Sequence, residues 1–348
     1  MSRNRSEPMP VKYWSRAGLM LSWWCNARCP SCYLACSPAH KGWVDPDWLL
    51  RVWAGLVAAS PHGCRVHLTG GEPFGNFPLL LEICRRARTA GLGPLEKIET
   101  NAFWASDDGR TAEWIGLLDR AGMEKLAISA DPWHQRFVPI ARARSAARIA
   151  RDILGPDRVQ VRWEDWLAEG TDTAGLAGAA LEQLARRLGS QGRDRYNGRA
   201  AEELAGGVDL KPLSTLADRA CNHALLRGKH VHISPEGLVI PGTCAGIVLG
   251  RIGPDANVGA IRQGLHDERF PATLAGILAE KGPAGLAEHA RPAGFIPRAG
   301  YASKCHLCWH VRSWLHRQGG PGCQQLGPDW WYRPQRAGSG RDQAAGQA

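Results

Sequence analysis

The feature that most restricts the fold of this chain is an alternation. Short aliphatic runs, each closed by glycine or polar residues, are separated by stretches whose apolar residues recur at helical spacing. The runs are residues 18–24, 65–69, 97–101, 125–129 and 158–163. Between them, Asp45 and Pro46 read as the N-cap and first position of a helix that presents Trp48, Leu49, Val52, Trp53 and Leu56 on one face. Further helices are expected over 77–90, 111–121, 139–154 and about 174–188. Strands that alternate with helices of this length predict parallel βαβ units, and residues 196–204 with 208–210 read as a sixth. The expected class is therefore α/β, a barrel of about six units and not eight.

The first run, Gly18-Leu-Met-Leu-Ser-Trp-Trp24, delivers Cys25-Asn-Ala-Arg-Cys29-Pro-Ser-Cys32 into a loop. Soft thiolates this close together select zinc or iron-sulfur clusters, and a closed site of either kind takes four ligands. The loop offers three. An incomplete set fits a cluster with one iron open to a small molecule, and Cys36 could complete a zinc site instead, so both readings stand. A second set, Cys221, Cys244, Cys305 and Cys308, brackets an expected hairpin with its turn at Glu236-Gly237 and opens an expected helix with Cys-x-x-Cys. Four thiols in this order fit a closed zinc ribbon. Cys64 and Cys84 read as small core residues.

The cysteine spacing, followed by Thr69-Gly-Gly-Glu-Pro73 at the end of the second run, resembles the radical S-adenosylmethionine (SAM) superfamily. The resemblance covers about residues 15–215 and implies a partial (β/α)6, TIM-like barrel in which Cys25, Cys29 and Cys32 hold a 4Fe-4S cluster. It implies that Gly70, Gly71, Glu72 and Pro73 meet the SAM amino group, with Glu72 as a carboxylate partner for it. Asn101, Ser129 and Asp131 become candidates for the SAM methionine and ribose. Ser31 stands where relatives often carry an aromatic residue, and Tyr33 is the neighbouring ring that could pack over the adenine. Asp131 and His134, an acid and an imidazole just past the fourth run, are the catalytic candidates on the substrate side. Gly198-Arg199-Ala200 is similar to a motif of some relatives, which makes Arg199 a candidate for a carboxylate or phosphate. The second cysteine set resembles the SPASM extension in its shortened, twitch form, and so implies one auxiliary 4Fe-4S cluster.

These readings divide the chain into a polar arm (1–12), the barrel (13–215), a small cysteine-rich extension (216–332) and a disordered tail rich in Gly, Ser and Gln (333–348). With 348 residues and 44% hydrophobic content, the chain can bury a large core. Its eleven cysteines come with no secretory signal and no bilayer-length apolar run, which points to a reducing cytoplasm and metal ligation in place of disulfides. The net charge of +10 is dispersed over Arg85-Arg86, residues 142–151, Arg186-Arg187 and the tail, which fits solvated helix faces better than a nucleic-acid surface. The resemblance implies a radical enzyme that cleaves SAM to a 5′-deoxyadenosyl radical and takes hydrogen from a peptide or small-molecule substrate. A donor such as flavodoxin or ferredoxin would supply the electron. The alternatives are a zinc module that contacts nucleic acid without catalysis and a degenerate SAM-binding protein without turnover.

Overall fold

The computed structural model describes residues 11–189, 191–217, 220–242, 244–319 and 322–332. The arm expected over 1–12 is thus described only from residue 11, and the tail expected over 333–348 lies outside the described residues.

Eight strands form one open sheet: β1 (Arg16–Met20), β2 (Arg65–Thr69), β3 (Leu95–Thr100), β4 (Leu126–Ser129), β5 (Val159–Arg162), β6 (His230–Ile233), β7 (Leu238–Pro241) and β8 (Gly250–Arg251), in the order β5-β4-β3-β2-β1-β6-β7-β8. The pairs from β5 to β6 are parallel, whereas β6–β7 and β7–β8 are antiparallel. The class is mixed α/β around a large parallel sheet that does not close.

The helices form where the alternation predicts. Asp45 accepts a hydrogen bond from the Trp48 N–H at 2.8 Å and caps Pro46–Ala59, which buries Leu49, Val52, Trp53 and Leu56. Asn76 and Asp107 cap Phe77–Thr89 and Asp108–Arg120 in the same way. These three helices and Ile140–Leu154 pack side by side, and the last lies against β4 and β5. The sixth unit departs from expectation. Residues 199–203 form a short helix and Ala205–Gly207 a 3₁₀ turn. Arg-Ala-Ala-Glu-Glu has strong helix formers and no β-branched residue, so local propensity opposes a strand there. The sixth parallel strand is β6, which pairs with β1 instead of β5.

Strand parity gives the sheet two unlike faces. Ala17, Leu19, Val66, Leu68, Ile98, Leu126 and Ile128 are almost fully buried and share the apolar face. On the opposite face the register sets His67 beside Lys97, Glu99 beside Ala127, and Ser129 beside Arg162. A parallel sheet covered on both sides usually carries apolar residues on both. Here the second face is polar, and its upper end opens into a cavity.

Because β6 covers one edge of β1, residues 13–215 leave that edge bare. Val231, Ile233, Val239 and Ile240 of the hairpin are buried, and full burial of each stabilises by about 1.5–3 kcal/mol. Four such residues contribute roughly 6–12 kcal/mol, comparable with the whole stability of a domain. A fragment ending at residue 226 is therefore expected to aggregate or lack a cooperative thermal transition by circular dichroism. A monomeric fragment with a sigmoidal melt would show that the first five βα units stand alone.

Candidate functional site

The cysteine loop is positioned by backbone pairing that continues past the end of β1. The Leu21 N–H donates to Thr69 O (3.0 Å), Gly71 N–H to Ser22 O (2.8 Å) and Glu72 N–H to Trp24 O (3.0 Å). This approach is why two glycines stand there. A Cβ on Gly71 would fall 1.7 Å from Trp24 O, and one on Gly70, at φ +127°, would fall 2.6 Å from Ser22 O. Glu72 is buried and braces the turn against the end of β3. Its Oε1 accepts from the Thr100 hydroxyl (2.8 Å) and Phe74 N–H (3.2 Å), and its Oε2 from Asn101 N–H (2.7 Å). Burial pushes this carboxyl up to about 7 against the pull of those donors.

From the other side, Arg199 reaches into the loop. Its guanidinium donates to Cys29 O (2.8 Å) and Cys36 O (2.9 Å), and the residue is almost fully buried. Gly198, at φ +58°, lets that segment press on Tyr33, whose carbonyl oxygen would meet a Cβ at 2.6 Å. Arg28 adds an ion pair with Glu203 at 2.8 Å.

The three thiols open on a cavity of about 120 Å³, whose wall includes Gly70, Gly71, Asn101, Ser129 and His134. Tyr33, Cys36, Thr69, Glu99, Thr100 and Arg162 line it as well. Burial pushes the Cys25 and Cys29 thiols well above the usual range. Cys32 is shifted the other way, first by a hydrogen bond from Cys36 and then by Arg199, while burial raises Cys36. Around Cys25 Sγ stand the Ala27 N–H at 3.4 Å and Asn101 Nδ2 at 3.6 Å, donors suited to a thiolate. A bound cation would reverse the burial penalty, because coordination deprotonates a thiol outright. The donor set fits a soft metal centre.

At the end of β4, Asp131 is fully buried and its Oδ2 lies 2.8 Å from His134 Nδ1, with Arg162 Nε at 3.8 Å. Burial raises this carboxyl, but His134 and Arg162 outweigh it and hold it at about 2. The His134 imidazole is raised in return: Asp131 overcomes the effect of burial.

The second thiol set also converges. Cys221, Cys244, Cys305 and Cys308 line one small cavity of about 30 Å³ with Leu225, Ile247 and Leu278. Cys305 and Cys308 occupy the first turns of the helix Lys304–Gln318, capped by Ser303, whose hydroxyl accepts from the His306 N–H. Burial pushes Cys221 up to about 11 and Cys244 up to about 12. Arg312 is buried beside them and donates to Cys308 Sγ (3.2 Å), Ala245 O (2.7 Å), the Tyr332 hydroxyl (2.7 Å) and Asn197 Oδ1 (3.2 Å).

Cys25, Cys29, Cys32, Gly70, Gly71, Asn101, Ser129 and His134 thus share one cavity wall. Glu72, Asp131 and Arg199 lie outside the lining and brace residues that form it, and Pro73 is buried at the start of the 3₁₀ turn Pro73–Asn76. Thr69, Glu99 and Arg162 join the wall beyond the residues expected there, and alternation along the runs 65–69, 97–101 and 158–163 is the signal that places them on the same face as Ser129. Arg312 carries no sequence signal beyond its position one helical turn after Cys308.

No protein-family model matches this chain, and no curated protein does. Among solved structures, it is similar to BtrN in complex with AdoMet and 2-DOIA, with 14% identity over 78% of this chain and 90% of BtrN and a TM-score of 0.46. It is also similar to anSMEcpe with bound AdoMet, at 12% identity over 87% of this chain and 98% of that one, TM-score 0.44. SuiB of Streptococcus suis bound to S-adenosylmethionine aligns at 12% identity over 68% of this chain and 61% of SuiB, TM-score 0.32.

If Arg199 clamps the loop, Arg199→Lys keeps the charge but cannot bridge both carbonyls. Hydrogen bonds from a charged group contribute about 1.5–3 kcal/mol, so local opening is expected to rise at least about tenfold. Iodoacetamide labelling of Cys25, Cys29 and Cys32 in metal-free protein, followed by mass spectrometry, reads that opening directly. Unchanged labelling rates would mean that the loop is held by other contacts.

Proposed function

We propose that this chain is a radical SAM enzyme acting on a peptide or small-molecule substrate. The observation that carries the reading is the meeting of Cys25, Cys29 and Cys32 with the Gly70-Gly71 edge, Asn101 and Ser129 around one cavity at the C-terminal strand ends. In this reading the three thiolates hold a 4Fe-4S cluster, and the open iron with the Gly70–Pro73 turn receives SAM. When bound, this pair supplies a 5′-deoxyadenosyl radical by one-electron reductive cleavage, able to take hydrogen from an unactivated C–H bond.

The chain's own residues bind, orient and shield. Glu72 keeps the Gly70-Gly71 backbone in place, so the amino group of SAM meets a rigid edge instead of a mobile side chain. Asn101 serves both sides, since its N–H is held by Glu72 and its Nδ2 points to Cys25 Sγ and to Asn26 Oδ1 at 2.8 Å. Ser129 is positioned for the SAM ribose. Asp131 ties up Nδ1 of His134, which leaves Nε2 as the atom that can take or give a substrate proton. Arg162, Glu99 and Thr69 make the remaining wall polar, suited to a substrate that carries hydrogen-bonding groups.

Residues 216–332 form, in this proposal, the twitch-like extension. Cys221, Cys244, Cys305 and Cys308 hold an auxiliary 4Fe-4S cluster, and buried Arg312, which donates to Cys308 Sγ, offsets part of the negative charge of the thiolates. A one-electron donor such as a flavodoxin or ferredoxin would reduce the first cluster. Among the described residues no helix is long and apolar enough to cross a membrane. Zinc in place of iron would identify the non-catalytic module, and iron without 5′-deoxyadenosine release a SAM-binding protein without turnover.

Two experiments bear on the clusters. Replacing Cys25, Cys29 and Cys32 together by Ala is expected to remove about four irons and all SAM cleavage while about four irons persist at the other set. Cleavage at the wild-type rate would exclude the assignment. Cys305→Ala with Cys308→Ala is expected to spare SAM cleavage and abolish product formation. Normal turnover in that variant, with its auxiliary iron absent, would make the second cluster dispensable.

A further inference from the structure

Three histidines meet on the polar face of the sheet, below the cavity and away from both thiol sets. In the register, His67 of β2 and His232 of β6 both pair with Gly18 of β1, and His230 lies on the same face of β6 two residues before His232. The ring centroids stand 5.1 Å apart for His67–His230, 5.5 Å for His67–His232 and 4.6 Å for His230–His232. One nitrogen from each ring lies within 4.8 Å of the other two, and this is the group of metal-ligating side chains found so close together among the described residues. Gly18 makes the meeting possible. A Cβ there would lie 2.6 Å from His67 Nε2 and 2.8 Å from His232 Nε2, so any other residue would occupy the space into which the rings fold.

Hydrogen bonds satisfy only part of the cluster. His232 Nδ1 lies 2.7 Å from Gly242 O and must carry the proton, so its unprotonated Nε2 accepts from the Tyr33 hydroxyl at 3.3 Å. His67 Nδ1 and His230 Nε2 are buried without a hydrogen-bond partner. A buried polar atom left unpaired costs about 1–3 kcal/mol, and two in one cluster ask for a shared partner. Burial pushes the His67 imidazole down to about 3, which is the neutral, ligating form at physiological pH. Glu99 stands on the same face, 3.9 Å from His67 Nε2 and outside hydrogen-bond distance. A packed set of neutral rings is the simpler reading of three core histidines and accounts for Gly18, but it leaves His67 Nδ1 and His230 Nε2 without a partner.

We propose that His67, His230 and His232 form a binding site for a divalent metal ion of the zinc class, separate from the thiol sites. Three imidazoles suit zinc, cobalt or nickel better than an iron-sulfur centre. On an ion about 2.0–2.1 Å from each nitrogen, the ligand atoms stand roughly 3.3 Å apart, so the rings need only draw together by side-chain torsion. The ion ties β2 to β6 across β1, joining the first five strands to the C-terminal hairpin. The Tyr33 hydroxyl, 3.3 Å from His232 Nε2, links the cluster to the cavity wall.

The test is cobalt titration of the full-length protein, isolated anaerobically with its thiol sites as they are, beside a His230→Gln variant. The expected result is about one equivalent of Co²⁺ with the visible bands of nitrogen and oxygen ligation and no sulfur-to-cobalt charge transfer, and at least about tenfold weaker binding in the variant at unchanged iron and sulfide content. Equal affinity in the two proteins, or wild-type protein that takes up cobalt only with the sulfur signature, would overturn the proposal. Should His230→Gln fail to fold, X-ray absorption at the cobalt edge of the wild type counts the imidazoles, and fewer than two would overturn it equally.

Discussion

The rest of the site depends on the closeness of two backbones. The turn after β2 accepts no Cβ where it meets Ser22 and Trp24, and the hydrogen bonds from Gly71 and Glu72 are what carry β1–β2 pairing into the cysteine loop. Glycine at 70 and 71 is therefore required first by the protein's own chain. A ligand that reads the same edge takes advantage of a surface already free of side chains. Glu72 completes the arrangement at some electrostatic cost, since burial outweighs the three donors its carboxyl gathers beyond the ends of β2 and β3 and the nearby His134.

The second dependence is the division of the sheet into an apolar and a polar face. The helices cover the aliphatic face and supply most of the burial. The polar face cannot contribute in that way, and its residues are instead satisfied by one another: Lys97 with Glu99 at 2.7 Å, Thr69 with Glu99 at 2.7 Å, Asp131 with His134 and Arg162. Such a network stabilises little by itself. At one end it lines the cavity with polar groups, and at the other it collects three imidazoles around Gly18.

Both thiol sites are held by a buried arginine that binds carbonyl oxygens, Arg199 at the first and Arg312 at the second. The two are mechanically joined. Asn197 accepts from Arg312 and lines the second cavity, while Arg199, two residues on, clamps the first loop. A guanidinium suits this task because its planar fork reaches several acceptors at once and stays charged beside thiolates.

Much of this was legible in the residues alone. The α/β class, four of the helix positions, the β6–β7 hairpin and the Cys25-to-Cys32 loop followed from periodicity, capping and spacing, which are local and need no partner. The polar strand ends at Asn101 and Ser129 were legible for the same reason, and parity could have added Thr69, Glu99 and Arg162. What only the tertiary structure decided is who meets whom. Glu72 turned inward because Thr100 and Asn101 come from another strand, and Arg199 became a clamp because a segment 163 residues away supplies Cys36. The sixth parallel strand came from His230–Ile233 and not from residues 196–210, because pairing beside β1 is a choice between distant segments that propensity does not rank. The three histidines were unremarked for the same reason: one strand periodicity places each of them on a face, and only the register of β1 between β2 and β6 brings them together over a residue with no side chain.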